Sequence, residues 1–194
     1  MAKLYFYYAS MNAGKSSTLL QTAFNYGEQG MRVSLWTAAI DNRPGFGAIS
    51  SRIGLASDAH RFGPDTDIEG RVVEDHGQDA VSCVLVDEAQ FLTRDQAWQM
   101  ARLADAHNIP VLCYGLRTDF QGQLFEGAAA LLGIADALVE LKAICHCGRK
   151  ATMNVRIDAA GQPVREGAQT EIGGNERYVA MCRRHFSEAM RGPI

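Results

Sequence analysis

The first 28 residues carry the feature that most constrains the fold: an apolar run, a loop of small residues and a helix-compatible run in direct succession. The apolar run is Leu4–Tyr8, the loop begins at Ala9, and the helical pattern covers Lys15–Glu28. A strand, a short loop and a helix in this order point the N–H groups of the helix N-terminus at a phosphate group. The pattern therefore predicts an α/β fold that binds a phosphate-bearing ligand close to its N-terminus.

The loop sequence ASMNAGKS matches G-x-x-x-x-G-K-[ST] except at its first position, where Ala9 replaces Gly. In such a loop the Lys15 ammonium reaches the β- and γ-phosphates and the Ser16 hydroxyl binds Mg²⁺. Ala9 is compatible with this role if the position needs no positive φ. A chance Gly-Lys-Ser tripeptide is the alternative, and the flanking strand and helix patterns argue against it. The predicted ATP-binding residues of the loop are Ala9, Ser10, Met11, Asn12, Ala13, Gly14, Lys15 and Ser16.

Four apolar runs are nearly continuous, which is typical of strands buried on both faces. They are Leu4–Tyr8, Arg32–Ala38, Val81–Val86 and Val111–Leu116, with helical patterns at Lys15–Glu28 and Asp95–His107. Alternating strands and helices predict a P-loop NTPase-type α/β fold, with a mainly parallel sheet flanked by helices. The Gly- and Ser-rich segment Asp41–Ser57 is expected to be a long mobile loop near the carboxyl ends of the strands.

An acidic pair, Asp87 and Glu88, follows directly after the run Val81–Val86. A phosphoryl-transfer site needs a carboxylate at a strand end to organise magnesium, and Asp87 is predicted to hold Mg²⁺ through water. Alternation along the strand is expected to turn Glu88 to another side, toward the group that accepts the phosphoryl. The alternative is that the pair caps the next helix.

Cysteine and histidine cluster near the C-terminus in two short groups, CHC and CRRH. Two groups that each bring two ligands are typical of tetrahedral structural zinc. The predicted ligands are Cys145, Cys147, Cys182 and His185. His146 is a competing ligand that is expected to point away into solvent, and free thiols in a reducing compartment are the alternative to a metal.

Composition narrows the class of protein further. The 194 residues suit one α/β domain, predicted over residues 1–141, followed by a zinc-bound C-terminal subdomain, predicted over residues 142–194. The hydrophobic core of this subdomain is expected to be too small to be stable without a metal. A net charge of −3 disfavours nucleic-acid binding by bulk electrostatics. No apolar run is long enough to cross a membrane and no signal peptide is evident, so a soluble cytoplasmic protein is expected.

Together, several stretches resemble the thymidine kinase family of the small P-loop, zinc-containing type. They are YFYYASMNAGKSS, LVDEAQFL, YGLRTDF, LVELKAICHCGRKA and IGGNERYV with CRRH, and they span nearly the whole chain. The resemblance implies phosphoryl transfer from ATP to the 5′-hydroxyl of thymidine or deoxyuridine. It also implies a homotetramer and feedback inhibition by dTTP.

The same resemblance implies roles for individual residues. Glu88 corresponds to the general base, Arg43 to an arginine near the transferred phosphate, and Gln90 to the ATP and magnesium site. The resemblance further implies a zinc-tethered lasso that covers the thymine and holds it through main-chain hydrogen bonds. The implied thymidine-binding residues are Met11, Phe91, Leu116, Phe120, Phe125, Thr152, Ile172, Gly173, Gly174, Asn175 and Tyr178.

Two other functions use the same motifs. A P-loop ATPase switch with a zinc-stabilised interaction lobe would need Asp87 but not Glu88 beside an apolar pocket. A zinc-ribbon nucleic-acid motor is disfavoured by the acidic balance and by the short chain.

Overall fold

The computed structural model describes residues 1–39, 47–170 and 177–191. Its strands in chain order are β1 (Leu4–Ala9), β2 (Arg32–Ala38), β3 (Ala48–Ser50), β4 (Ala56–Asp58), β5 (His60–Phe62), β6 (Val81–Val86), β7 (Val111–Leu116), β8 (Ala137–Glu140), β9 (Ala143–Ile144), β10 (Lys150–Ala151), β11 (Met153–Arg156) and β12 (Tyr178–Met181). Its helices are α1 (Lys15–Glu28), α2 (Ile68–Gln78), α3 (Arg94–Asp105), α4 (Glu126–Ile134) and α5 (Arg183–Arg191), with a 3-10 helix at Ala89–Phe91.

The central sheet within these residues has six strands in the order β5-β2-β6-β7-β1-β8, and every neighbouring pair is parallel. All four predicted strands are confirmed, with β1 one residue longer than expected. The edge strands β5 and β8 were not predicted. Both are short, and β8 is only partly buried, so neither produces the continuous apolar run of a central strand.

Side chains alternate between the two faces of the sheet, and each face has its own core. In β6, Val84 and Val86 pack with α2, α3 and α4, whereas Cys83 and Leu85 pack with α1. Because both faces are covered, both sets of side chains are apolar, which explains the nearly continuous apolar runs. Cys83 is thus a small buried hydrophobe.

Helix α1 has the predicted bounds, and α3 is shifted by one or two residues from the predicted Asp95–His107. A capping box explains where α3 begins: the Thr93 hydroxyl accepts from the Gln96 N–H, and the Gln96 side chain accepts from the Thr93 N–H. The cap satisfies N–H groups that a helix start leaves unpaired.

The prediction of a loop throughout Asp41–Ser57 is wrong for its second half. Strands β3 and β4 pair as an antiparallel hairpin there, and Ile49 is buried in the core on the α1 side of the sheet. One buried Ile and a few backbone hydrogen bonds hold strands that Gly- and Ser-rich sequence would not favour. The first part of the predicted loop, residues 41–46, lies outside the described residues.

The chain after Glu140 forms small antiparallel pairs and one helix. Strands β9 and β10 pair, strands β11 and β12 pair, and α5 follows directly after the second pair. In the described parts of the chain, every helix falls short of the length and apolar character that crossing a membrane requires.

Candidate nucleotide site and metal centre

The predicted phosphate loop connects β1 to α1 at the carboxyl end of the sheet. Asn12 and Gly14 have positive φ, 63° and 78°. Ala9 is the last residue of β1 and has no positive φ, so the absence of glycine at this position causes no backbone strain. Gly14 is the N-cap of α1 in the left-handed region, where a side chain would be disfavoured.

Lys15, the first residue of α1, is turned into the site. Its side chain is 9% exposed, and its Nζ donates to the Ser10 carbonyl oxygen at 3.1 Å. Burial lowers the pKa of the Lys15 ammonium, while the negative charges of Glu88 and Asp87 act in the opposite direction. The loop therefore holds a poorly solvated cation next to two carboxylates.

The second half of the site reaches the loop through Ser16. Its hydroxyl donates to Asp87 Oδ2 at 2.8 Å and so joins the first turn of α1 to the end of β6. β7 lies between β1 and β6 in the sheet, so the carboxylate comes from a strand two places away. Burial, and then the charge of Glu88, raise the pKa of Asp87 to about 6. This arrangement of hydroxyl and carboxylate is suited to a hydrated Mg²⁺ beside phosphate.

Glu88 is oriented by a left-handed turn. Its φ is 53° and its ψ is 37°, and it precedes the 3-10 helix Ala89–Phe91 without forming a side-chain cap. The expectation that strand alternation directs this side chain is therefore wrong, because β6 ends at Val86. Positive φ is uncommon for Glu and often marks a functional position.

Gln90 is buried, 2% exposed, between Glu88 and β7. Its Nε2 donates to Glu88 Oε2 at 2.5 Å, and its Oε1 accepts from the Leu116 N–H at 2.9 Å. The backbone donor fixes the orientation of the amide, so the end that faces Glu88 is a donor. Gly115 makes room for this: a Cβ there would lie 2.9 Å from both the N and the Oε1 of Gln90.

Five of the described residues assigned to the thymidine pocket fall into two contacting groups. Phe91 and Phe125 meet edge to face at 5.7 Å between ring centroids, and Leu116 packs against the same core. Phe120 and Tyr178 are joined through the guanidinium of Arg156. Phe120 and Phe125 are buried, while Met11, Phe91, Leu116, Thr152 and Tyr178 are partly exposed. The remaining predicted site residues, Arg43, Ile172, Gly173, Gly174 and Asn175, lie outside the described residues.

Hydrogen bonds that were not predicted from the sequence connect the phosphate loop to the C-terminal part of the chain. The buried Asn154 side chain accepts from the Met11 N–H at 2.7 Å and donates to the Thr118 carbonyl at 3.3 Å. The Ser10 hydroxyl donates to the Ala151 carbonyl at 3.3 Å. The only local signal was an amide residue inside the strand-like stretch TMNVRI.

The four predicted metal ligands lie together, with one donor atom of each within 4.8 Å of the others. Cys147 Sγ and Cys182 Sγ are 3.9 Å apart, and His185 Nδ1 is 3.3 Å from Cys145 Sγ and 3.5 Å from Cys182 Sγ. Tetrahedral zinc with bonds of about 2.3 Å places sulfur ligands about 3.8 Å apart. The donor set and spacing therefore fit zinc.

Local hydrogen bonds prepare the cluster for a cation. The backbone N–H of Cys147, followed by that of Cys182 and by the His185 side chain, lowers the pKa of the Cys145 thiol to about 5. His146 is exposed, as expected, but it does not point away from the cluster: its Nδ1 lies 3.7 Å from Cys145 Sγ, and its ring stacks on His185 at 4.3 Å between centroids. Ala13 of the phosphate loop packs against the buried residues of this cluster.

A parallel sheet, a lysine-bearing phosphate loop after its first strand and a buried carboxylate bonded to the loop serine define a P-loop nucleotide-binding protein with a zinc-type Cys/His cluster. The chain belongs to the thymidine kinase family, a family of phosphotransferases: the family model described as Thymidine kinase matches residues 2–186.

Similar proteins cover essentially the same length. A protein of Novosphingobium aromaticivorans named thymidine kinase is 72% identical over 190 residues, which cover 98% of this chain and 99% of that protein. Thymidine kinases of Rhizobium meliloti and Vibrio parahaemolyticus are 58% and 56% identical, again over 98% of this chain and 99% of each relative.

Proposed function

We propose that the protein transfers the γ-phosphoryl group of ATP to the 5′-hydroxyl of thymidine, and of deoxyuridine, to give the monophosphate. The observation that carries the proposal is the convergence of four side chains from separate segments. Lys15 and Ser16 come from the phosphate loop, and Asp87 and Glu88 come from the end of β6. Phosphoryl transfer depends mainly on positioning and charge neutralisation, which these groups supply.

The phosphate loop binds the triphosphate. Lys15, already desolvated, neutralises charge on the β- and γ-phosphates. Ser16 and Asp87 are the residues that would hold Mg²⁺, which neutralises phosphate charge when bound. Ser16 would use its hydroxyl oxygen, and the ionised Asp87 would act through water. Arg43 is assigned to the transferred phosphate by resemblance.

Glu88 is the proposed general base. A carboxylate must lie within hydrogen-bond reach of the nucleoside 5′-hydroxyl to accept its proton during transfer. Glu88 is half-buried and has one oxygen bonded to Gln90. The Gln90 Nε2 donates to this carboxylate, so we assign Gln90 the role of orienting Glu88 within the proposed ATP and magnesium site.

The nucleoside base would lie among the aromatic residues named above. A pocket closed by Phe91, Phe120 and Phe125 would exclude purines by size. Main-chain groups of the 172–178 segment would distinguish thymine from cytosine, because the wrong base leaves hydrogen-bond partners unpaired. We place Tyr178 beside the base.

We assign zinc a structural role. Four protein ligands leave no open coordination position, so zinc here would hold β9–β10 and β12–α5 together. We divide the chain accordingly into a kinase domain, 1–141, and a zinc-bound lasso subdomain, 142–194. The five cysteines form no disulfides, which supports a location in the reducing cytoplasm. From the family resemblance we also propose a homotetramer and feedback inhibition by dTTP.

The test is ATP consumption by the purified protein with Mg²⁺, supplying each of the four deoxynucleosides in turn. Turnover with thymidine, and weaker turnover with deoxyuridine, is expected. Turnover that needs no nucleoside would instead support an ATPase switch and would overturn the proposal. Turnover that prefers a purine nucleoside would reject the assignment of the pocket.

A further inference from the structure

Arg156, at the end of β11, is a buried cation that the proposed mechanism does not use. It is 3% exposed and lies opposite Tyr178 in the antiparallel pairing of β11 with β12. Burying a guanidinium is costly unless its N–H groups are bonded, so the surroundings of Arg156 must supply acceptors for it.

The guanidinium contacts three separate segments. Its Nε donates to the Tyr178 hydroxyl at 3.0 Å, and its Nη2 donates to the carbonyls of Ala168 and Gln169 at 3.0 and 3.3 Å. Its centre lies 3.8 Å from the centroid of the Phe120 ring and 5.4 Å from that of Tyr178. One planar group thus spans the loop after β7, residues 168–169 and β12.

A second contact links the same segments. The Gln169 amide donates to Asp119 Oδ2 at 3.0 Å, and the other oxygen of Asp119 accepts from the Gln121 and Gln123 N–H groups. Asp119 is 4% exposed, so the backbone on both sides of Phe120 is firmly held. Phe120 therefore has one ring face against Arg156 and a fixed backbone.

We propose that Arg156 is a positioning residue for the nucleoside pocket, which sets the distance between Phe120 and Tyr178 and thereby the affinity for the nucleoside. This inference rests on the proposed function. The planar guanidinium can stack on Phe120 while donating in two directions, whereas an ammonium provides neither the plane nor the fork. The contacts described above join Arg156 to Phe120, Tyr178 and residues 168–169, so a change at Arg156 is expected to alter nucleoside affinity more than the chemical step.

The test compares Arg156→Lys and Arg156→Met with Arg165→Lys, an exposed arginine of the same subdomain whose Nη2 donates to the Ala189 carbonyl. Steady-state kinetics give KM for thymidine and for ATP, and calorimetry gives the thymidine Kd. Loss of charge-assisted bonds is expected to raise thymidine KM and Kd by about 10- to 100-fold in both Arg156 variants. The ATP KM and kcat are expected to stay within about twofold, and Arg165→Lys to match wild type.

Tyr178→Phe removes only the hydroxyl that accepts from Arg156. Tyr178→Phe is expected to weaken thymidine binding less than Arg156→Lys does. The double variant is expected to bind thymidine as tightly as Arg156→Lys alone, because the two substitutions remove the same Arg156–Tyr178 hydrogen bond. Zinc content and the melting temperature of each variant identify any that fail to fold.

The outcomes separate this inference from the proposed function. Wild-type turnover with thymidine together with an unchanged thymidine KM in Arg156→Lys overturns the inference alone. So does a fall in kcat with unchanged thymidine Kd. A wild-type protein that neither binds nor phosphorylates thymidine overturns the proposed function, and the nucleoside role of Arg156 with it. In that case hydrogen exchange still tests whether Arg156 joins residues 168–169 to β12. If it does, the backbone amides of both segments should exchange faster in Arg156→Lys than in the wild type.

Discussion

The Gln90 side chain connects Glu88 to β7: its Nε2 lies 2.5 Å from Glu88 Oε2, and its Oε1 accepts from the Leu116 N–H. The left-handed backbone of Glu88 turns the carboxylate toward this amide, and Gly115 leaves the space that the amide needs. The proposed base is therefore held by a neighbour whose own orientation is set by the sheet. Such support is what keeps a reacting group within the narrow geometry that transfer requires.

Glu88→Gln is expected to retain ATP and thymidine binding and to lower kcat by about 10²- to 10⁴-fold, because a neutral amide cannot accept the 5′-hydroxyl proton. Single-turnover kinetics and calorimetry measure the two effects separately. Glu74→Gln, at an exposed glutamate of α2 that pairs with Arg71, is the control and should behave as wild type. Full activity in Glu88→Gln would remove Glu88 from the role of base.

Gln90→Met is expected to lower kcat roughly 10²-fold while leaving the Kd values of both substrates nearly unchanged, because Glu88 loses its partner. The control is Gln21→Met, at an exposed glutamine of α1 bonded to Asn25. An unchanged kcat with a lowered melting temperature would indicate that Gln90 is structural only.

Activity is expected to fall as the pH drops through about 6, the raised pKa of Asp87, because protonated Asp87 cannot help to hold Mg²⁺. Lys15 and Glu88 are the charged groups that face it. The kcat/KM for ATP, measured at fixed free Mg²⁺ from pH 5 to 8, checks this. A flat profile across pH 6 would contradict the assignment of Asp87.

The free energy of unfolding of the ligand-free protein should also depend on the protonation of Asp87. The folded-state pKa of Asp87, about 6, lies above its ordinary value of 3.8, so the ligand-free folded state binds more protons in that window. Its contribution to the free energy of unfolding is therefore fully present below about pH 4 and lost as the pH rises to about 6. Asp87→Asn should exceed wild type in stability by more at pH 7 than at pH 4.5, as measured by urea denaturation.

Loss of zinc should affect both substrates, because the cluster packs against Ala13 and the neighbouring strand β11 is bonded to Met11 through Asn154. Cys182→Ser is expected to lower bound zinc and to raise the KM for thymidine and for ATP, with metal content and kinetics as the readouts. Cys83→Ala, in the core on the α1 side, is the control for loss of a thiol. Unchanged zinc content and kinetics in Cys182→Ser would contradict the metal assignment. The effect on ATP distinguishes this variant from Arg156→Lys.

Much of the architecture could be predicted because its signals are local in the chain. Doubly covered strands leave continuous apolar runs, a phosphate loop needs Gly-Lys-Ser between a strand and a helix, and paired short Cys/His groups suit a tetrahedral ion. These patterns alone determined four of the strands, the bounds of α1, the acidic pair at the end of β6 and the four clustered ligands.

Only the tertiary structure decided how distant segments meet. The Gln90–Leu116, Asn154–Met11 and Arg156–Phe120 contacts join residues that no spacing rule relates. The short edge strands and the β3–β4 hairpin form because neighbours supply pairing and burial, which outweigh weak local preference. The direction of Glu88 depends on a positive φ that its residue type disfavours, and the packing around Gln90 and Gly115 accommodates it.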